Sequence, residues 1–440
     1  MNPPDHLYIE HDPELPTYQD SQNALRVERS SASLPTKHES ALYDSANRKW
    51  LILRTNTRPR RNPESLPVFR EGDIISGEIE ADLNKDKTMK SISISVIGGT
   101  TLVGEDEFVI LKETQILWTR EGRGSKLVGR HVWPFRFTLP KQVQVKKCGT
   151  GKHNLPPTFA ENGRTVYIDY RLLVDIKRGD FLKLDKTLVT TFGYEIDSVS
   201  EPLSELRQLA YTEEIPLFGP GEDPYGWKVF PAFMVKGTLS GKAVEVEITL
   251  AISNPTTYAI GYPIPLRISL TSKDAQALEE LAKPTAIGLE LVRSMASGVD
   301  AFDDNSFGKA DNHFFDSEGF AFWWSTPQAD PDPNQAAPNT RELRGELDVP
   351  RKIKPTFLFP RCSVRYTLEL LPLSAPGWVN KSDTQNPLLS EKVTIVSRQA
   401  PGMNVRSDAP PGYDRSQAVN YLQSMGLLEN GNQRFVNRRR

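Results

Sequence analysis

The chain is poor in cysteine, with only Cys148 and Cys362 in 440 residues. Secreted, disulfide-dense proteins use many more, so a disulfide scaffold is excluded and a reducing compartment is expected. Cys362 lies inside an apolar alternation and reads as a small core residue. Cys148, in "VKKCGTGKH", has Lys146 and Lys147 to lower its pKa but no spaced partner for nucleophilic catalysis. Long hydrophobic runs are missing too. No stretch approaches the ~18 apolar residues of a membrane helix, and the opening "MNPPDHLYIEHDPELP" has neither the basic nor the apolar region of a secretory signal. The expectation is a soluble, cytoplasmic protein with any membrane role peripheral. Charge of one sign is also lacking: the net charge is −2 and the pI about 6.4. No overall field therefore favours nucleic acid or anionic lipid. The local basic runs, "RTNTRPRR" at 54–61 and the terminal "NRRR", read as solvated loop and tail.

Patterns that carry chemistry are equally scarce. The six histidines, His6, His11, His38, His131, His153 and His313, show no zinc spacing, and H-E-x-x-H and G-x-S-x-G are both absent. "GTGKHN" at 149–154 lacks the leading glycine and the hydroxyl residue of a phosphate loop. "ADPDPNQ" begins like a calcium loop with Asp330, Asp332 and Asn334. Its glycine position, however, holds Gln335 and its closing glutamate position Arg341. The acidic and aromatic stretch 300–326 has enough carboxylates for a glycosidase pair, but nothing fixes two of them at a usable distance. It reads better as a solvated insertion leading into a Trp-rich strand. No catalytic residue, metal or cofactor is expected.

What is present is period-two alternation. In "MKSISISVIGG", Ile92, Ile94 and Val96 share one face. In "VYIDYRLLVDIKRG", Val166, Ile168, Tyr170, Leu172, Val174 and Ile176 do, and "KRGD" looks like a hairpin turn into the next strand. The same texture returns in "KAVEVEITLAIS", "YPIPLRISLT" and "RCSVRYTLELL". Residues 1–45 and 401–440 read as disordered tails, because they offer too little apolar surface to offset ordering entropy. Residues 46–200 and 228–400 form two β-rich blocks, joined by a Pro, Gly and acid-rich connection at 201–227. The helix expected in the second block is "KDAQALEELAK", stopped by Pro284, and "DRSQAVNYLQSMGLL" is a short candidate in the tail. The expected fold is all-β: two antiparallel β-sandwiches in tandem.

Four segments in order resemble the arrestin family. "FREGDIISGEIEADL" at 69–83 is similar to its early strand–turn–strand motif. "HVWPFRFTLP" at 131–140 is similar to its Pro-Phe-x-Phe-x-Leu-Pro strand. "LPPTFAENGRTVYIDYRLLVDIKRG" at 155–179 resembles the loop and tyrosine-bearing strand that close the N domain. "LDVPRKIKPTFLFPRCSVRYTLEL" at 347–370 resembles part of the C domain. Elementary backbone chemistry agrees: Gly72 and Gly77 sit where a strand entrance needs relaxed geometry or close approach, and Pro134 and Pro140 should mark strand ends or a sheet edge. The stretch around 273–345 departs from the pattern as a long insertion. No buried charged cluster of the phosphate-sensing kind is recognisable, and no clathrin box is evident.

The resemblance gives meaning to the tail. The fungal and animal arrestin-like adaptors, the alpha-arrestins, carry Pro-Pro-x-Tyr peptides outside the arrestin fold. Here Pro410, Pro411 and Tyr413 in "APPGYD" fit that motif, and Leu15, Pro16 and Tyr18 in "PELPTYQD" fit its Leu-Pro-x-Tyr form. Adjacent prolines preset a polyproline II helix, so an aromatic WW-domain groove can take it at little entropic cost. With 34 prolines and 13 tyrosines, chance predicts on the order of 0.1 strict matches. The resemblance implies an adaptor linking a WW-domain HECT-type ubiquitin ligase to cytoplasmic segments of membrane transporters or receptors, working at the plasma membrane and endosomes and promoting their ubiquitination and endocytosis. The alternatives are a retromer-like coat subunit of the same fold, indifferent to WW domains, and a β-sandwich hydrolase using the 300–326 carboxylates.

Overall fold

The computed structural model describes residues 36–410 and Tyr413, apart from 59–65, 84–88, 121–126, 146–150, 162–165, 179–184, 299–300, 303–311, 326–338 and 382–385. Strand dominates, and the described residues hold only two short α-helices. The chain divides after Asp197 into two compact units, the first also taking short pieces at Ser297–Ala310 and Leu358–Cys362. The all-β expectation is met.

In the first unit a four-stranded sheet runs β1 (Thr36–Tyr43), β2 (Lys49–Thr57), β4 (Ile74–Asp82), β7 (Arg130–Thr138). A five-stranded sheet runs β3 (Val68–Arg70), β11 (Lys186–Glu195), β10 (Val166–Arg178), β5 (Met89–Leu102), β6 (Phe108–Thr119). A small ribbon pairs β8 (Gln142–Gln144) with β9 (Lys152–Asn154). The alternation in β10 is realised fully: Val166, Ile168, Tyr170, Leu172, Val174 and Ile176 are all completely buried. Each aliphatic side chain so buried contributes roughly 1.5–3 kcal/mol. The Tyr170 hydroxyl, too deep to leave unsatisfied, donates to the Pro156 carbonyl at 2.5 Å.

The motif glycines act as expected. Gly72 has φ +84° in the turn between β3 and β4. A Cβ on Gly77 would sit 1.9 Å from the Arg54 carbonyl oxygen, so only glycine lets β2 approach. Pro134 lies in β7, the last strand of its described sheet, as the edge reading expects. One boundary differs. The tail was expected to run to residue 45, yet Thr36–Tyr43 form β1. That strand is mostly polar, so its pattern is weak, and Glu39 ties it to β2 through Lys49 (2.6 Å) and Arg54 (3.0 Å).

In the second unit, one sheet runs β19 (Phe322–Ser325), β20 (Thr340–Asp348), β16 (Pro263–Thr271), β14 (Lys242–Ser253), β13 (Phe233–Leu239), β23 (Trp378–Asn380), with β12 (Trp227–Val229) also on β14. The other runs β15 (Thr257–Ala259), β24 (Leu389–Val396), β22 (Cys362–Leu370), β17 (Leu289–Ser297), β18 (Asn312–Phe320), with β21 (Phe357–Phe359) beside β22. Within 273–345, read from sequence as an insertion, the described residues include β17, β18, β19 and part of β20, all members of these sheets. The expected helix forms as α2 (Ala275–Leu281), capped by the Asp274 carboxylate accepting from the Ala277 amide at 3.0 Å.

The presumed connection at 201–227 is more structured than its composition suggests. It contains α1 (Glu205–Thr212), capped by Ser204. Ala210, Tyr211 and Leu217 form a small core there with Leu203, Phe218 and Val405. Its buried arginine, Arg207, stacks 4.5 Å over Trp227 and donates to the Ser253 hydroxyl. The chain's entry and exit run side by side in this unit: Val199 bridges Arg398, and the Ser198 and Ser397 amides each bond the other's hydroxyl.

Candidate functional site: the tail tyrosine and its seat

Strand β19 alternates, so Phe322 and Trp324 face one way and Trp323 the other. Pairing with β20 sets Phe322 opposite Glu346 and Trp324 opposite Arg344, which puts two aromatic rings, a carboxylate and a guanidinium on one face. Trp323, 1% exposed, packs into the opposite face over Gly345, where a Cβ would lie 2.4 Å from its ring. Glycine at that position therefore decides how closely β19 lies on β20.

The C-terminal segment lies over the aromatic face. Ser407 donates to Glu346 Oε2 at 2.6 Å, and the Asp408 amide donates to Glu346 Oε1. The Asp408 carboxylate accepts from the Leu217 amide at 3.3 Å and lies 3.7 Å from Arg344. Beyond Pro410, the Tyr413 ring stacks on Phe322 (centroids 5.5 Å apart, planes at 29°) and packs on Trp324 (5.7 Å, 59°). Its hydroxyl donates to the Trp323 carbonyl, so the phenol is held at both ring and tip. The Tyr413 amide donates back to the Pro410 carbonyl at 3.1 Å, an i→i+3 closure.

Burial governs the electrostatics here. It pushes the Glu346 carboxyl up to about 7, with Asp348 and Asp408 adding to the rise and the bonds from Ser407 and Asp408 opposing it. Asp408 is also raised, chiefly by burial, against the opposing pull of the Leu217 amide and of Arg344, Arg267 and Arg406. Near neutral pH the pair thus shares less negative charge than two solvated carboxylates would.

Of the docking residues expected from sequence, Pro410 is exposed and Tyr413 half-buried in this seat. The tail is expected from sequence to be disordered; at 405–409 and at Tyr413 it is instead packed, because Phe322, Trp324 and Glu346 supply the surface and acceptor that composition alone does not reveal. Pro411, Leu15, Pro16, Tyr18 and the candidate helix "DRSQAVNYLQSMGLL" lie outside the described residues, as do Cys148 and the calcium-like loop. Sequence reading missed Phe322, Trp324 and Glu346 as partners of the motif. The available signal was "FWW", three large aromatics in a strand-length run.

Elsewhere, Asp316 and Glu318 of the 300–326 stretch both face Arg293, at 2.8 and 2.9 Å, which holds them as an ion cluster. Cys362 is fully buried, and burial drives its thiol well above the ordinary range, so the core reading holds. Among the described residues, no group of three His, Cys, Asp or Glu could hold a metal ion. No described helix is long and apolar enough to cross a membrane. No protein-family model matches the sequence, and no curated protein matches it.

Proposed function

We propose that this chain is an arrestin-like adaptor. Its tails recruit a WW-domain HECT-type ubiquitin ligase, and its β units engage cytoplasmic segments of membrane transporters or receptors at the plasma membrane and endosomes. On this reading the chain makes and breaks no bond itself. It raises the effective concentration of ligase beside cargo lysines, so that the cargo is ubiquitinated and internalised.

The observation that carries the reading is the tetrapeptide Pro410-Pro411-Gly412-Tyr413, which follows the last described strand, Leu389–Val396, in sequence, with Pro410 and Tyr413 outside every described sheet. A motif there can be lent to a partner without dismantling a sheet. The two-unit all-β architecture and the four arrestin-like segments support the family side of the proposal. A second peptide at Leu15, Pro16 and Tyr18 would let one chain hold two WW domains of one ligase, so that two weak contacts act as one stronger one.

The test is capture of a purified WW-domain ligase by the full-length chain, comparing wild type with Tyr413→Ala, Tyr18→Ala and the double substitution. Capture should fall at least about tenfold with Tyr413→Ala, as expected when a pocket loses its aromatic anchor, and should vanish in the double variant. Equal capture by all four chains would remove the ligase from the proposal.

A further inference from the structure

We infer that the face formed by Phe322, Trp324 and Glu346 is a resident binding site for the chain's own tail, which keeps Tyr413 from any external reader of the Pro-Pro-Gly-Tyr motif until the tail is released. The consequence for the ligase rests on the proposed function; the site itself does not.

Three observations carry the inference. The first is occupancy. One tyrosine side chain cannot lie against Phe322 and Trp324 and also enter a partner's pocket, and here it is in contact with both rings while its hydroxyl is bonded to the Trp323 carbonyl. The second is shape. A polyproline II helix, the form such readers take, has no internal hydrogen bonds, whereas the Tyr413 amide here closes onto the Pro410 carbonyl. The third is that the hold is distributed. Ser407 and the Asp408 amide are anchored on Glu346, Asp408 is bonded by the Leu217 amide, and Val405 packs into the small core around Tyr211. The tail is therefore fastened at Val405, Ser407, Asp408 and Tyr413. Such a set of contacts differs in kind from a lone aromatic resting on a surface.

A reader then meets the motif only in the fraction of molecules whose tail is free, and its apparent affinity drops by that fraction. Aromatic pairs and hydrogen bonds of this number are enough to bring the free fraction to about a tenth or below. Removing the seat should restore access without touching the motif.

The experiment has two readouts on the full-length chain, every version of which carries Tyr18→Ala so that the tail motif alone is read, with wild type here meaning the intact seat. The first is affinity for a purified tandem WW-domain fragment, set against a synthetic peptide of residues 404–418. The second is hydrogen exchange of the Asp408 and Tyr413 amides. Variants are Phe322→Ala/Trp324→Ala and the milder Phe322→Leu, which keeps an apolar side chain but loses the stack. Wild type should bind the fragment at least about tenfold more weakly than the peptide does. Both variants should narrow that gap, and the two amides should be protected in wild type and exposed in the variants. Free-peptide exchange in wild type, or affinity equal to the peptide's, would overturn the inference. Protected amides with no WW binding by chain or peptide would support the seat and overturn the ligase.

Discussion

Glu346 is a carboxyl with no exposed surface, placed where the tail crosses the sheet. Its value of about 7 in the folded chain lies above its ordinary 4.5. The native state therefore binds this proton more tightly than the unfolded chain does. Its contribution to stability is fullest below about pH 4.5 and is lost as the pH climbs through 7. Glu346→Gln keeps an oxygen to accept from Ser407 or Asp408 and has no charge to bury. In denaturant titrations the variant should gain on wild type by roughly 2–3 kcal/mol more at pH 8 than at pH 5, from about 1.4 kcal/mol per pKa unit. The same difference at both pH values would show that Glu346 does not carry that proton. At this scale the sequence was legible where a residue's neighbours in sequence define its place. Cys362 and the Tyr170 row are buried as their alternation requires. Glu346 and Tyr413 were opaque because their environment is assembled by chain far away, Tyr413 meeting a carbonyl 90 residues earlier.

Among the elements, β19 is the one on which the seat depends. It is four residues long and, among the described residues, has a single strand neighbour, β20. Two contacts hold its distance from β20: the Trp323 ring against Gly345, and the backbone ladder beside it. Gly345→Ala would place a methyl 2.4 Å from that ring and 2.8 Å from the Phe322 carbonyl oxygen. Part of that clash is with backbone, so the strand has to shift. The expected loss is about 3 kcal/mol, at the upper end for overpacking, accompanied by loss of Tyr413 amide protection. A denaturation midpoint within error of wild type would refute the proposed packing. Long strands such as β10 could be read from their period alone. Short ones could not: β1 is too polar to signal burial, and β19 looks like a generic aromatic cluster until β20 supplies its register. The helix α1 was hidden for a related reason, since its Pro, Gly and acid-rich surroundings imitate a linker.

Over the whole molecule, charge is nearly balanced, and the pI is about 6.4. Mutual repulsion between copies should be weakest there. Light scattering from pH 5 to 8 should show maximal self-association close to pH 6.4, and a flat profile would place the dominant attraction elsewhere. The two-block organisation was legible because strand texture stops near residue 200 and resumes near 228. The connectivity was not. Strand β3 pairs in parallel with β11, and β15 with β24, each joining chain more than a hundred residues apart. No local pattern announces such partners, since the pairing follows from which faces remain to be covered.

The Tyr413 hydroxyl is bonded to a carbonyl of the strand that ends its sheet. An end strand offers unpaired backbone groups to any other strand that drifts past, and proteins commonly guard such borders against sticking to their own kind. On the proposed function, the guard and the docking residue are the same. On that reading, a molecule that lends its tail to a partner also bares a border lined with the Phe322 and Trp324 rings and the freed Trp323 carbonyl. The time it can safely spend open is then set by crowding among its own copies.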